Sequence, residues 1–143
     1  MPFAFSETSR DRLQGAHRDL QKLANLAIKL IDFTVLETNR TEEQQQIYVA
    51  KGVSQTMSSK HLPWPSQAMD IAPWFAAEPH IRWPDTSIRG AEVIARWAYL
   101  IGIIRGAAAA LGIAVRVGFD WDGDGNAFNE HFPDWPHVEV KGK

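Results

Sequence analysis

The chain has 143 residues, 45% of them hydrophobic and 22% charged, with a formal net charge of −2 and no cysteine. That length suits one soluble domain, residues 1–143, burying roughly two-thirds of its unfolded surface, and the charge gives no reason to expect a nucleic acid partner. Without cysteine, disulfides and thiolate ligands are excluded, so any metal must be held by His, Asp, Glu or backbone oxygen.

The first residues, Met1 to Glu7, carry neither a basic n-region nor an apolar h-region, so no signal peptide is expected. Leu13, Ala16, Leu20, Leu23, Ala27 and Leu30 recur at three- and four-residue steps and predict one amphipathic helix from about Ser9 to Leu30. Ile31 to Thr38, rich in β-branched and aromatic residues, predicts a strand. Thr41 followed by Gln44 is a capping-box pattern that starts a second helix, which Gly52 stops. Val53 to Pro65 is polar and Pro-containing, hence a loop. Ala68 to Ala72 predicts a short strand closed by Pro73, and Pro79 to Ser87 a surface connection.

A long helix follows over about Ser87 to Leu111, capped by Gly112. Its apolar run from Trp97 is the one membrane candidate, but Arg96 and Arg105 bracket a stretch far shorter than the ~20 residues a span requires. A buried helix is expected, with no membrane insertion. Ile113 to Phe119 predicts a strand, then comes an acidic loop, and finally the strand His137 to Val140. The alternation of elements predicts an α+β fold with a small, mainly antiparallel sheet packed with helices. The six tryptophans suit the core of such a domain.

Chemistry concentrates in two short segments. His61 and Asp70 sit in Ser59-Lys60-His61 and Ala68-Met69-Asp70; His137 sits in Asp134-Trp135-Pro136-His137. Two imidazoles and one carboxylate make a three-ligand zinc set that leaves the fourth tetrahedral position to water. A zinc ion so held is catalytic in character, because it lowers the pKa of its water to about 7. Asp134 lies three residues before His137, within reach of such a water. His137 and Glu139 share one face of their strand, which makes Glu139 a candidate partner of the ligand or a competing base. His17 and His80 have no such neighbours and read as ordinary surface or core residues.

These motifs resemble the zinc peptidases of bacterial cell walls that include phage L-alanyl-D-glutamate endopeptidases and vancomycin-resistance D,D-carboxypeptidases. The family pattern is S-x-H, then A-x-D, then D/E-x-x-H near the C-terminus, with an upstream Arg-Thr and a following Gln, matched here by Arg40-Thr41 and Gln44. The likeness covers nearly the whole chain, including the run Val117 to Trp121, and is strongest to compact phage endolysins. It implies the hedgehog/D-Ala-D-Ala-peptidase fold, zinc on His61, Asp70 and His137, Asp134 as general acid–base and Arg40 as a fixed charge for the oxyanion or a substrate carboxylate. It further implies substrate contacts from Ser59 and Gln44, although the Ser59 hydroxyl equally suits ordering its loop. One departure stands out: the family usually reads H-x-x-G-x-A-x-D, whereas this chain runs Leu62-Pro63-Trp64-Pro65-Ser66-Gln67, two residues longer and without glycine.

The loop Asp120-Trp121-Asp122-Gly123-Asp124-Gly125-Asn126 places oxygens at positions one, three and five and glycine at six, the first half of an EF-hand calcium loop. Glu130 falls at position eleven rather than twelve. Some phage members of the family have a comparable calcium loop here, which implies that calcium on Asp120, Asp122, Asp124, Asn126 and Glu130 orders the segment before Asp134; a solvated acidic turn is the alternative. The expectation is a monomeric peptidase of bacterial peptidoglycan, an endolysin cutting between L-alanine and D-glutamate, made in the host cytoplasm and released through a separate pore. Alternatives are a D-alanyl-D-alanine carboxypeptidase or dipeptidase, and a non-catalytic wall-binding module containing zinc.

Overall fold

The computed structural model describes residues 3–52, 54, 57–84, 88–130 and 134–141. In chain order these form α1 (Glu7–Leu13), α2 (Arg18–Ala27), β1 (Phe33–Glu37), α3 (Glu42–Ala50), β2 (Ala68–Pro73), α4 (Ile88–Leu111), β3 (Val115–Val117), a 3₁₀ turn (Ala127–Asn129) and β4 (His137–Val140). The strands make one four-stranded sheet in the order β1-β2-β4-β3, every pairing antiparallel. The α+β expectation therefore holds.

The single N-terminal helix does not: the chain forms two helices, broken between Gln14 and His17. Apolar periodicity continues across the break, but the backbone there is drawn into bonds with a distant loop. His17 N–H donates to Ser66 O and Ser66 N–H to Gly15 O, each at 2.8 Å, and Ala16 bridges Ser66. His17 then caps α2, its Nδ1 accepting from Asp19 N–H at 3.0 Å. These bonds fasten the long loop after His61 to the helical layer. Pro65 lies in that loop, directly before Ser66, whose backbone makes these bonds.

α1 covers the outer edge of β1, with Ser9 Oγ accepting from Val35 N–H at 3.0 Å and Arg12 Nη1 donating to Val35 O at 2.9 Å. An otherwise unpaired strand edge is thereby closed. Val35, Met69, Ile71, Val117, Val138 and Val140 meet α2 and α4 in the main core. Gly90–Leu111 of α4 is long and apolar enough to cross a membrane by composition. Here it packs on α2, β2 and β3, burying Trp97, Leu100 and Ile104 completely. Full burial of such side chains stabilises by about 1.5–3 kcal/mol each. Gly112, at φ +71°, ends the helix as expected; Ser87 lies outside the described residues.

Because side chains alternate along a strand, the residues left facing away from this core include Asp70, His137, Glu139 and Arg116. A β-bulge in β1 adds one residue between Val35 and Glu37, so that Glu37 stands opposite Asp70. The open face of the sheet thus carries the polar residues of β1, β2, β3 and β4 side by side.

Candidate metal centre and active-site cleft

A cleft of about 850 Å³ lies on that face. Three segments deliver its central groups. Asp70 is on β2 directly opposite His137 of β4. His61 comes from the loop before β2, held where Arg40 N–H donates to its carbonyl at 2.8 Å and where Asn39 Nδ2 donates to Pro63 O at 2.9 Å. His61 Nε2 lies 3.2 Å and His137 Nδ1 3.5 Å from the same oxygen, Asp70 Oδ1. One nitrogen or oxygen from each of the three residues lies within 4.8 Å of the others.

The opposite nitrogen of each ring is already engaged. His61 Nδ1 donates to the Thr38 carbonyl at 2.6 Å, and His137 Nε2 is 2.9 Å from Glu139 Oε1. Such partners fix ring orientation and leave one nitrogen per ring aimed at Asp70. Two imidazole nitrogens and a carboxylate oxygen, each backed in this way, suit a divalent ion of the zinc type.

Asp134 sits at the rim, Oδ2 3.8 Å from His137 Nδ1. Its place is set by an unusually close backbone approach. Asp134 N–H donates to Gly118 O at 3.1 Å, Gly118 N–H to His137 O at 2.8 Å and His137 N–H to Asp134 O at 3.1 Å. A Cβ on Gly118 would lie 2.0 Å from Asp134 O. Trp135 anchors the same turn, its ring 4.6 Å from Phe119 and 6.3 Å from Trp97. Arg40 reaches the other side of the trio, with Nη2 3.7 Å from Asp70 Oδ2, while the rest of its fork is held by Glu37 and by Gln45 Oε1 at 2.6 Å.

Electrostatically the site is dominated by burial set against close pairing. Burial alone would raise the Asp70 carboxyl, but the two histidines beside it hold it well below the usual carboxylate range. Burial would lower His137, yet Asp70 and Glu139 on either side outweigh it and raise the ring to about 9. Burial, then the charge of Asp70, raises Asp134 above an ordinary aspartate. Glu139 is lowered: burial opposes its ionisation, but His137, Arg116 and Lys60 prevail.

The acidic loop forms a second group. Carboxylate oxygens of Asp120, Asp122, Asp124 and Glu130 lie within 4.8 Å of one another. Asp120 is buried, and its Oδ1, like Glu130 Oε1, finds no hydrogen-bond partner among the described residues. Burial and the Asp122 charge push Glu130 up. Asn126 stands apart from the group in one respect, because its side-chain oxygen caps the 3₁₀ turn by accepting from Phe128 N–H at 2.9 Å.

Of the other residues named from sequence, Ser59 lines the cleft and its Oγ accepts from His61 N–H at 3.2 Å, which orders the loop. Gln44 is in the capping box, exchanging bonds with Thr41 at 3.0 and 3.1 Å, and is not among the cleft-lining residues. The buried neighbour Gln45 carries the contact to Arg40 instead. Gly118, Glu37 and Gln45 were not singled out from sequence. A glycine inside a strand pattern was the available signal for the first, since such a glycine often marks close backbone approach.

Comparison with known proteins gives the same direction. The sequence model of a family described as phage L-alanyl-D-glutamate peptidase matches residues 1–141. The L-alanyl-D-glutamate peptidase of Escherichia phage T5 is 32% identical over 135 residues, 91% of this chain and 90% of that protein. The crystal structure of the Serratia marcescens L-Ala D-Glu endopeptidase ChiX is similar in fold, with a TM-score of 0.73 and 27% identity, covering 96% of this chain and 90% of that one. With a match over almost its whole length, the chain belongs to the phage L-alanyl-D-glutamate peptidase family.

Proposed function

We propose that this peptidase is zinc-dependent and hydrolyses the L-alanyl-D-glutamate bond of the peptidoglycan stem, as an endolysin made in the host cytoplasm and released to the wall through a separate pore. The observation that carries the metal reading is the convergence of His61 Nε2 and His137 Nδ1 on one Asp70 oxygen, with Asp134 at the rim. A divalent ion held by these three residues would supply Lewis-acid polarisation of a carbonyl and acidify water. The remaining chemistry falls to the chain. Asp134 Oδ2 accepts the proton of the attacking water and returns it to the D-glutamate nitrogen as the C–N bond breaks. Arg40, locked by Glu37 and Gln45, presents a fixed positive charge to oxygen that becomes negative. Thr38 and Glu139 keep the two rings from turning.

Metal binding should be steeply pH-dependent. In the metal-free chain His137 is raised to about 9, so near neutrality its ring holds a proton that an ion must displace. The contribution of this protonated ring to stability is present below its ordinary 6.5 and lost as pH rises through about 9. Metal affinity runs the opposite way, rising about tenfold per pH unit up to about 9 and then flattening. Competition titrations against a chelator across this range check it; an affinity independent of pH would sink the ligand assignment for His137.

The acidic loop is read as a calcium site on Asp120, Asp122, Asp124 and Glu130, with Asn126 beside them. Two buried oxygens without partners support a hard cation there. The loop touches the catalytic turn through Trp121 on His137, at 5.2 Å, and Phe128 near Trp135, at 6.1 Å, so its ordering would steady Asp134. One digestion tests both readings. Purified peptidoglycan treated with zinc-loaded protein should release fragments with a new N-terminal D-glutamate, faster when calcium is added. Free D-alanine would instead identify a carboxypeptidase, and an intact zinc-loaded chain that releases nothing would be a wall-binding module.

A further inference from the structure

The cleft is flanked by positive charge on two sides, and the sides are not equivalent. Toward β1, the Arg40 guanidinium is engaged by Glu37 and Gln45 and faces Asp70 at 3.7 Å. Toward β3, Arg116 and Lys60 line the wall. Arg116 pairs across the sheet with Glu139, its Nη2 3.5 Å from Glu139 Oε2, and its side chain is 48% exposed. Its guanidinium lies 4.8 Å over the Trp121 ring, which in turn packs on His137. Lys60, next to His61, lines the same cleft, brings Nζ to 3.4 Å from Gln67 Oε1 and, with Arg116, favours the ionised form of Glu139. The one carboxylate between these cations has its second oxygen on His137. Arg116 and Lys60 therefore bring two positive charges to the Glu139 side of a cleft whose other carboxylates are Glu37, Asp70, Glu130 and Asp134.

We propose that Arg116 and Lys60 form the subsite for the free α-carboxylate of the stem-peptide D-glutamate, and so select acidic stems over stems amidated at that carboxyl. The inference rests on the peptidase reading above. D-Glutamate joined to the next stem residue through its side-chain carboxyl keeps its α-carboxyl beside the scissile nitrogen. A substrate cut here therefore brings an anion to the edge of the ligand trio. A guanidinium held over an indole face is preorganised for a carboxylate, and Lys60 adds an adaptable second donor. Amidation removes the charge but keeps the shape, so discrimination between acid and amide reads these two cations.

The test compares N-acetyl-L-alanyl-γ-D-glutamyl-L-lysine with its α-amide. Turnover is followed with zinc-loaded wild type, Arg116→Gln, Arg116→Lys, Lys60→Gln and Arg40→Lys, and binding is followed calorimetrically in an Asp134→Asn background. Wild type should bind the acid about tenfold more tightly, the order expected for a partly exposed charge-assisted contact. Arg116→Gln should bring the two KM values together by raising that of the acid, Lys60→Gln should do so in part, and Arg116→Lys should retain most of the difference. Equal handling of the two peptides by wild type would overturn the subsite. So would an unchanged ratio in Arg116→Gln with kcat lowered equally for both, the pattern of a purely structural role through Glu139. Loss of discrimination only in Arg40→Lys would move the subsite to the other wall and overturn it as well. Binding preference for the acid without cleavage of either peptide would leave the subsite standing and remove the peptidase reading.

Discussion

Asp134→Asn should lower peptide hydrolysis by about 10²–10⁴-fold, the usual contribution of a positioned acid–base group, while zinc content per chain stays at the wild-type level. The asparagine keeps the volume of the side chain and all three backbone hydrogen bonds that define its turn with Gly118 and His137. It also stands outside the proposed ligand trio, 3.8 Å from His137 Nδ1, so a metal held there would lose no direct donor. What disappears is the ability to accept a proton. Burial and the Asp70 charge raise the Asp134 carboxyl, which suits a group that must both take up and release a proton during one turnover. The competing base, Glu139, is buried with Oε1 on the His137 ring nitrogen that faces away from Asp70. A carboxylate in that place orients the ring, and its other oxygen is 3.5 Å from Arg116 Nη2, so both of its oxygens are engaged away from Asp70. Steady-state turnover of purified wall fragments, with metal analysis on the same samples, decides the matter. Hydrolysis within a few-fold of wild type would place the base elsewhere; loss of zinc would make Asp134 a ligand.

The same residues show why the site was easier to read from sequence than the scaffold. His61, Asp70 and His137 each sit in a short motif with a chemically rare combination of neighbours, and β2 and β4 place Asp70 and His137 by simple alternation, whereas His61 is placed by its loop. Glu139 follows from the same rule: two residues after His137 on β4, it meets the ring at 2.9 Å. The helix break at Gly15 was invisible because its cause is nonlocal. Leu13, Ala16 and Leu20 keep helical spacing through a segment whose backbone bonds go to Ser66. Gln44 and Gln45 illustrate a different limit. The capping box correctly set the start of α3, but the same bonds turn Gln44 outward and leave the next residue to face Arg40. A one-residue offset of this kind is decided by helix phase, which a motif match does not carry. Glu37 enters the cleft only through the bulge in β1, and nothing in its local sequence announces an extra residue there.

Gly118→Ala should be the most damaging substitution that removes no functional side chain. The added methyl would lie 2.0 Å from the Asp134 carbonyl oxygen, 2.9 Å from its carbonyl carbon and 3.0 Å from its Cβ. All three atoms belong to Asp134, the proposed base, and two are backbone, so the contact cannot be relieved by a rotamer change. The turn must retreat by about 1 Å or β3 must part from β4. The first response displaces Asp134 from its position beside His137, and a shift of that size costs on the order of 10²-fold in rate. The second breaks the pairing of Val117 with Val138 and destabilises the fold by about 1–3 kcal/mol, as overpacking in close-fitted interiors does. The two responses separate experimentally. A retreat of the turn gives near-native denaturant stability and zinc content with a depressed kcat, whereas loss of strand pairing lowers the unfolding midpoint and the activity together. Alanine at this position with wild-type stability and turnover would mean that Asp134 is not held by the close approach of Gly118, and the positioning argument would fall with it.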